Sequence, residues 1–419
     1  MKRRDVEIMA PAGSYESLMA AIQGGAGSVY FGVEHLNMRA RSSNNFSLDD
    51  LKRIAGIALQ NNIKTYLTLN VEIFDTETGL MHQVVTAAKE AGVSAVIASD
   101  ISVIQYARSI GLEVHISTQV NITNIEAVRF YAHFADVVVL AREMNLGRVY
   151  EICSEIEKQQ IKGPSGNLIR VEMFVHGALC MAISGKCYLS LHEMNSSANR
   201  GSCMQTCRRA YTVTDKETNA ELEVDNEYIM SPKDLKTIHF LNKILDAGVS
   251  VLKIEGRARS PEYVKTTVEC YREAVEAYFG NSFSQEKIDN WDSRLKTVFN
   301  RGFWDGYYLG QRLGEWSSNY GSRATRRKLY IGKGTNYFSK LQVAEFKLET
   351  NSLRVGDEII VTGPTTGVIQ QKVKEIRVDM ESVEEAKKGE RFSIHIKDKI
   401  RRSDKLFKII DASEAKQRM

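Results

Sequence analysis

The sequence lacks any long hydrophobic run. No window approaches ~20 consecutive uncharged apolar residues, the length that a membrane-spanning helix needs. The first seven residues include three basic side chains, but no apolar stretch of signal-peptide length follows them. We therefore expect a soluble, cytoplasmic protein without a membrane partner.

Several short catalytic motifs are also absent. The chain has no Gly-x-Ser-x-Gly elbow, which would present a nucleophilic serine, and no His-Glu-x-x-His pair, which would hold a catalytic zinc. It has no Cys-x2-Cys pair, the usual spacing of a zinc ribbon. These absences argue against the familiar serine and zinc peptidases.

What the sequence does contain is a cluster of cysteines. Four of its six cysteines fall within 28 residues, separated by six, fifteen and three residues. They are Cys180, Cys187, Cys203 and Cys207. Thiolates this close together in a reducing compartment are more often metal ligands or redox groups than disulfides. The spacing alone leaves an iron–sulfur cluster, a structural zinc and unligated thiols open.

The remaining two cysteines carry a different expectation. Cys153 and Cys270 lie in helical patterns, and we expect both to be small buried side chains.

The first two thirds of the chain predict a (β/α)8 barrel of the TIM type. Eight short β-branched runs alternate with segments whose apolar residues recur at i, i+3 and i+4. The runs are 6–10, 28–32, 64–71, 95–99, 113–118, 136–141, 169–175 and 250–255. Eight such units over roughly 270 residues are typical of this barrel, which we place at residues 1–281.

The connection after the seventh strand is unusually long. It covers about residues 176–249, where such loops normally have a few residues, and it holds all four clustered cysteines. We expect this Cys-rich insertion to project over the barrel mouth. Its pattern predicts a hairpin over 210–224 and a helix that follows Met230 and ends near Gly248.

Beyond the barrel we expect a connector over 282–328 and a small closed all-β barrel over 329–419. Short strands separated by Gly, Asn and Asp turns predict the latter, at 343–346, 358–362, 368–378, 391–395 and 405–409. From Arg323 onward, 22 Lys and Arg face 14 Asp and Glu, whereas the preceding residues carry a net charge of −4. A basic module suits an RNA partner, and a solvated basic surface explains the charge equally well.

Polar side chains follow almost every predicted barrel strand. In TIM barrels the chemistry lies where strands end and βα loops begin, so a site on this rim is favoured. The candidates are Arg39, Arg41, Asn70, Gln119, Arg142, Glu143, His176, Glu255, Arg257 and Arg259.

The stretch around the first two clustered cysteines resembles the signature of peptidase family U32, the collagenase-like peptidases. That signature runs Glu-x-Phe-x-x-Gly-small-aliphatic-Cys-x4-Gly-x-Cys-x-aliphatic-Ser. It is met by Glu172, Phe174, Gly177, Ala178, Leu179, Cys180, Gly185, Cys187, Leu189 and Ser190. Similarity extends along the flanking chain, including the C-terminal module.

The resemblance implies more than the name of the family. Members of it are RNA hydroxylation proteins that act on a tRNA wobble uridine or a ribosomal RNA base, and relatives hold a 4Fe–4S cluster on four cysteines. It therefore implies that the four clustered cysteines are cluster ligands, with Cys207 as the fourth, and that prephenate is the hydroxyl source. We expect formation of 5-hydroxyuridine in tRNA.

Roles for the rim residues follow from this expectation. Arginine is suited to bind a dicarboxylate co-substrate such as prephenate, and the carboxylates can orient the arginines or move protons. The substrate-binding candidates are Arg39, Arg41, Asn70, Gln119, Arg257 and Arg259, and the catalytic candidates are Arg142, Glu143, His176 and Glu255.

Two alternatives stay open. A U32-type peptidase is one, although no base is evident for Ser190 and a pair of His176 with Cys180 would need a single activated thiolate. A non-enzymatic RNA-binding protein with a structural metal such as zinc is the other.

Overall fold

The computed structural model describes residues 2–40, 45–212, 217, 230–311, 314–318 and 321–413. The candidate Arg41 and most of the hairpin predicted over 210–224 lie outside these residues. None of the described helices is long and apolar enough to cross a bilayer.

Eight parallel strands close into a barrel, as predicted. Each strand pairs with the next, and the eighth pairs with both the seventh and the first. They are β1 (Glu7–Pro11), β2 (Ser28–Phe31), β3 (Lys64–Leu69), β4 (Ala95–Ala98), β5 (Glu113–Ile116), β6 (Val137–Val139), β7 (Arg170–Gly177) and β9 (Val251–Ile254), with β8 in the insertion described below. Each of these strands overlaps a predicted run. Parallel strands that are buried on both faces are short and rich in β-branched residues, which makes them recognisable in the sequence.

Helices cover the outside of the barrel. They are α1 (Tyr15–Gly24), α2 (Asp50–Gln60), α3 (Thr78–Ala91), α4 (Ile101–Ser109), α5 (Ile125–Tyr131), α6 (Leu146–Gln159) and, after β9, α9 (Pro261–Phe279). Polar residues cap several of them: Ser14, Asp100 and Asn145 each accept a hydrogen bond from a backbone N–H of the first turn. Helix α9 begins at Pro261, a residue whose fixed φ suits the first helical position.

The insertion between β7 and β9 contains α7 (Leu189–Met194), β8 (Asp234–Lys236) and α8 (Leu241–Asp246). Here the sequence prediction was partly wrong, because β8 stands where the start of a helix was expected. β8 pairs antiparallel with the end of β7 and parallel with β10 (Phe303–Trp304). This long-range pairing overrides the local helical pattern, so only α8 remains of the predicted helix.

The segment after α9 is also more regular than expected. Helix α10 (Gln285–Thr297) packs against α9 and precedes β10. Ser284 caps it, and Ile288, Trp291 and Leu295 form its buried face.

The C-terminal region is an antiparallel β domain. Its strands are β11 (Arg326–Phe338), β12 (Val343–Leu348), β13 (Leu353–Arg354), β14 (Glu358–Gly363), β15 (Gly367–Lys372), β16 (Ile376–Val378), β17 (Glu381–Val383), β18 (Glu385–Ala386), β19 (Arg391–His395) and β20 (Lys405–Asp411). Eight of them form one sheet in the order β15-β14-β20-β11-β12-β19-β16-β17. In the part of the chain that the structure describes, no pairing joins β15 to β17, so the antiparallel domain is confirmed but the closed barrel is not.

This domain docks on the barrel through α1 and α9. The side-chain amide of Gln23 donates to Thr366 O and accepts from Val368 N, both at 2.9 Å. Lys265 Nζ donates to Val368 O at 3.0 Å, and Lys328 forms an ion pair with Glu262 at 2.9 Å. Val368 itself packs into the core of the barrel.

Candidate functional site

A cavity of about 210 Å³ lies at the carboxyl ends of the barrel strands, beneath the Cys-rich insertion. Side chains from the strand ends form its floor, and the insertion forms its roof. All four clustered cysteines line it: Cys180, Cys187, Cys203 and Cys207. The sequence prediction that the insertion covers the barrel mouth is therefore matched by the described residues.

Local contacts hold the roof in place. Gly177 ends β7 with φ of 104°, and a Cβ there would lie 2.4 Å from Glu255 O, so the chain turns where only glycine is accommodated. Arg208 then ties three parts of the insertion together. Its guanidinium donates to Leu179 O at 2.6 Å, Pro232 O at 2.7 Å and Ser231 Oγ at 2.9 Å.

The cysteines are free thiols that influence one another electrostatically. Burial and the neighbouring thiolates together raise the pKa of Cys207 to about 11, against the lowering effect of Arg208. Burial likewise raises the pKa of Cys187, with contributions from Cys180 and Cys203. A bound metal cation would instead lower the pKa of these thiols, because cysteines coordinate metals as thiolates.

The four thiols form a soft donor set around one cavity. Among the described His, Cys, Asp and Glu residues, no three lie close enough together to form a ready site for a single metal ion. Thiolates hold zinc at about 2.3 Å, and they also hold the irons of iron–sulfur clusters. The chemistry of the donor set therefore fits either group.

Six arginines line the same cavity: Arg39, Arg142, Arg208, Arg257, Arg259 and Arg301. Four of them were predicted from the strand ends. Arg208 and Arg301 were missed, because they belong to the insertion and to the segment before β10, whose paths depend on long-range pairing. Among the described lining residues, Glu255 is the single carboxylate.

Glu255 is held by the cations around it. Its Oε1 lies 3.2 Å from Arg39 Nη2, and its Oε2 accepts a hydrogen bond from the hydroxyl of Tyr30 at 3.0 Å. Burial alone would raise the pKa of Glu255, but Arg39, Arg142 and Arg257 outweigh it and the pKa is lowered. The carboxyl is therefore ionised and orients Arg39 over the cavity.

Two other arginines are largely desolvated. Arg257 donates to Thr68 Oγ1 at 3.0 Å and Asn37 Oδ1 at 2.9 Å, and burial lowers its pKa to about 10. Arg142 stacks on the ring of Phe174 at 3.9 Å, and its buried Nε has no hydrogen-bond partner among the described residues. A buried donor without a partner indicates a place for a ligand or water.

A third arginine, Arg259, stacks on Phe299 at 3.6 Å, and burial lowers its pKa.

The predicted amides reach the cavity. Asn70 accepts from Met38 N at 3.3 Å and donates to Ser117 Oγ at 3.3 Å. Gln119 accepts from the same Ser117 hydroxyl, and both amides line the cavity wall.

Two predicted catalytic residues do not line the cavity. Glu143 is exposed beside it, and His176 is 1% exposed and enclosed by Tyr263, Tyr271 and Phe303. Burial, with Lys236 and Arg259 nearby, lowers the pKa of His176 to about 3, so the ring is neutral at pH 7. This placement favours packing over proton transfer to a substrate.

Ser190 and Asp234 are engaged elsewhere. Ser190 Oγ accepts a hydrogen bond from Met204 N at 3.0 Å, and its contacts in the described region include no histidine. Asp234 forms an ion pair with Arg301 at 3.4 Å and stays outside the lining of the cavity.

A family model for peptidase family U32 matches residues 13–318. The chain belongs to this family. A U32 relative from Porphyromonas gingivalis that is named collagenase is 62% identical over 408 residues, covering 97% of this chain and 99% of that protein.

Other relatives bear RNA-modification names. A tRNA hydroxylation protein from Bacillus subtilis is 31% identical over 366 residues, covering 85% of this chain and 83% of that protein. A 23S rRNA 5-hydroxycytidine synthase from Escherichia coli is 33% identical over 317 residues, covering 74% of this chain and 46% of that protein. By identity, the names of these U32 relatives favour the peptidase alternative over RNA hydroxylation.

Proposed function

We propose that this U32 protein hydroxylates RNA, forming 5-hydroxyuridine at the tRNA wobble position with prephenate as hydroxyl source. One observation carries the proposal: four free cysteines and six arginines line a single cavity at the barrel mouth. The RNA-modification names of relatives at 31–33% identity support the same reaction class.

The cysteines would hold a 4Fe–4S cluster, which supplies one-electron transfer beside the substrate when bound. The protein's own residues bind and orient the other reactants. Arg142, Arg257 and Arg259 offer guanidinium groups to the carboxylates of a small acid. Glu255, ionised at neutral pH, pairs with Arg39 at 3.2 Å and holds its guanidinium at the cavity wall.

The basic C-terminal domain would position the RNA. Not all of its basic residues are available, since Lys328 pairs with Glu262 of the barrel and Arg326 pairs with Glu358 at 2.8 Å. Arg327, Arg401 and Arg402 are exposed. Phosphate contacts from such residues supply affinity without sequence specificity.

The decisive test is the metal content of full-length protein purified without oxygen. A 4Fe–4S cluster predicts broad visible absorption and about four irons and four sulfides per chain. Loss of hydroxyuridine-derived nucleosides from the tRNA of a deletion strain, measured by mass spectrometry, would establish the substrate. One tightly bound zinc without sulfide would contradict the redox chemistry and favour the non-enzymatic RNA-binding alternative.

A peptidase is the second candidate, and the name of the 62% identical relative favours it. The described geometry offers little support, because Ser190 has no base and burial raises the pKa of Cys187 and Cys207. Cleavage of casein or collagen by pure protein, lost in Cys180→Ala, would establish the peptidase. No cleavage by protein that carries its full iron content would exclude it.

A further inference from the structure

A second charged pair lies in the interior of the barrel, directly below the arginines. Glu172 on β7 and Lys253 on β9 stand on neighbouring strands, and Lys253 Nζ is 2.7 Å from Glu172 Oε1. The two side chains are 0% and 6% exposed. Lys253 lines the cavity, so its ammonium group forms part of the floor.

This pair is incomplete. An ammonium group carries three N–H donors, and among the described contacts Lys253 uses one of them, on Glu172. The rings of Tyr30 and Phe174 flank Nζ at 4.8 and 5.4 Å. Glu172 Oε2 is buried and has no hydrogen-bond partner in the described part of the chain. A buried ion pair repays its desolvation only if the remaining protons and lone pairs are satisfied.

The opposite end of the barrel shows what a completed pair looks like. There Glu7 accepts hydrogen bonds from Ser28 at 2.6 Å, Tyr66 at 2.7 Å and Arg170 at 2.9 Å. The fold therefore satisfies this buried carboxylate with its own side chains. The unused donors of Lys253 are available to a ligand in the cavity, which Lys253 lines and Glu172 does not.

A neutral acceptor complements the remaining N–H donors of Lys253, because Glu172 already neutralises the ammonium charge. We propose that Lys253, held in place by Glu172, donates to the hydroxyl oxygen of a small hydroxy carboxylic acid whose carboxylates meet the arginines of the same cavity. This inference rests on the proposed function only for the identification of that acid as the co-substrate. Lys253 contacts the ligand, and Glu172 positions Lys253.

The test compares two acids that differ by one hydroxyl, malate and succinate, by calorimetry on the full-length protein with its metal. The wild-type protein should bind malate about tenfold or more tightly, as a hydrogen bond to charged groups predicts. Lys253→Met and Glu172→Gln should bind the two acids equally. A loss of packing alone would weaken both acids and leave their ratio unchanged.

Lys236→Met is the matched control. Lys236 forms a partly buried pair with Asp292 at 2.6 Å, but it does not line the cavity. This variant should keep the preference for malate. If water fills the floor, the wild-type protein should bind the two acids equally, and that result would overturn the proposal. Failure to bind either acid would overturn it as well.

RNA modification separates this inference from the proposed function. If Lys253→Met restored normal tRNA hydroxylation in a deletion strain, the floor assignment would be wrong while the proposed function stood. If the deletion strain kept its hydroxyuridine but the pure protein still preferred malate, the proposed function would fail and the floor site would remain.

Discussion

Glu7 is the residue whose charge state is tied most directly to the stability of the barrel. Burial raises its pKa, but Arg170, Ser28 and Tyr66 outweigh burial and bring it to about 2. A carboxyl with a lowered folded-state pKa stabilises the fold above its unfolded value of 4.5, and this contribution is lost as the pH falls toward 2.

We predict that Glu7→Gln removes about 3 kcal/mol of unfolding free energy at pH 7 and flattens its decline between pH 4.5 and 2. Urea unfolding at several pH values measures both effects. Glu358→Gln, at the surface pair with Arg326, should change stability by less than about 1 kcal/mol. A decline equally steep in Glu7→Gln and wild type would contradict the assignment.

Single substitutions can also test which cysteine is the fourth ligand of the proposed cluster. Cys207 lines the cavity, whereas Cys270 is fully buried in α9, where burial raises its pKa to about 12. Under the cluster proposal, Cys207→Ala should lose most of its iron and visible absorption. Cys270→Ala should keep both and lose about 1 kcal/mol of stability through a small cavity. Iron retained in Cys207→Ala would remove Cys207 from the ligand set.

Among the elements, the Cys-rich insertion depends on Arg208. We predict that Arg208→Ala speeds amide hydrogen exchange over residues 178–207, because three carbonyl and hydroxyl partners lose their donor. Arg209→Ala is the control, since Arg209 is exposed and contacts only the sulfur of Met194 among the described partners. Exchange unchanged in Arg208→Ala would mean that other contacts hold the roof.

The elements also show how far the sequence could be read. The eight barrel strands were predicted, because burial on both faces leaves a local signal in each of them. β8 was not, because its pairing with β7 and β10 is separated from it by 57 or more residues and leaves no local pattern. Arg301 was missed for the same reason, since its position depends on the long-range pairing of β10. Helix α10 could have been found, since Ser284 and the spacing of Ile288, Trp291 and Leu295 are local signals.

The candidate site was predictable to a similar degree. The cysteines and the strand-end arginines follow from spacing and from the geometry of the barrel. The role considered for His176 does not, because its enclosure by three aromatic rings from distant parts of the chain can be seen only in the folded protein.

At the scale of the whole molecule, RNA binding should depend on the exposed cations of the C-terminal domain. The double variant Arg401→Ala and Arg402→Ala should flatten the slope of log K against log salt for tRNA by up to about 2, since each phosphate contact contributes roughly 0.9. Lys328→Ala should leave the slope unchanged and lower the stability of the docked domain, because Lys328 pairs with Glu262. Equal slopes in all three proteins would place the RNA on the barrel rim alone.

The roof of the cavity is one uninterrupted segment between adjacent strands, and this has an evolutionary consequence. The four cysteines and Arg208 can change together within about seventy residues while the closed barrel beneath them keeps every strand pairing. Substitutions within this one segment can therefore alter the chemistry at the barrel mouth without disturbing the strand pairing beneath it.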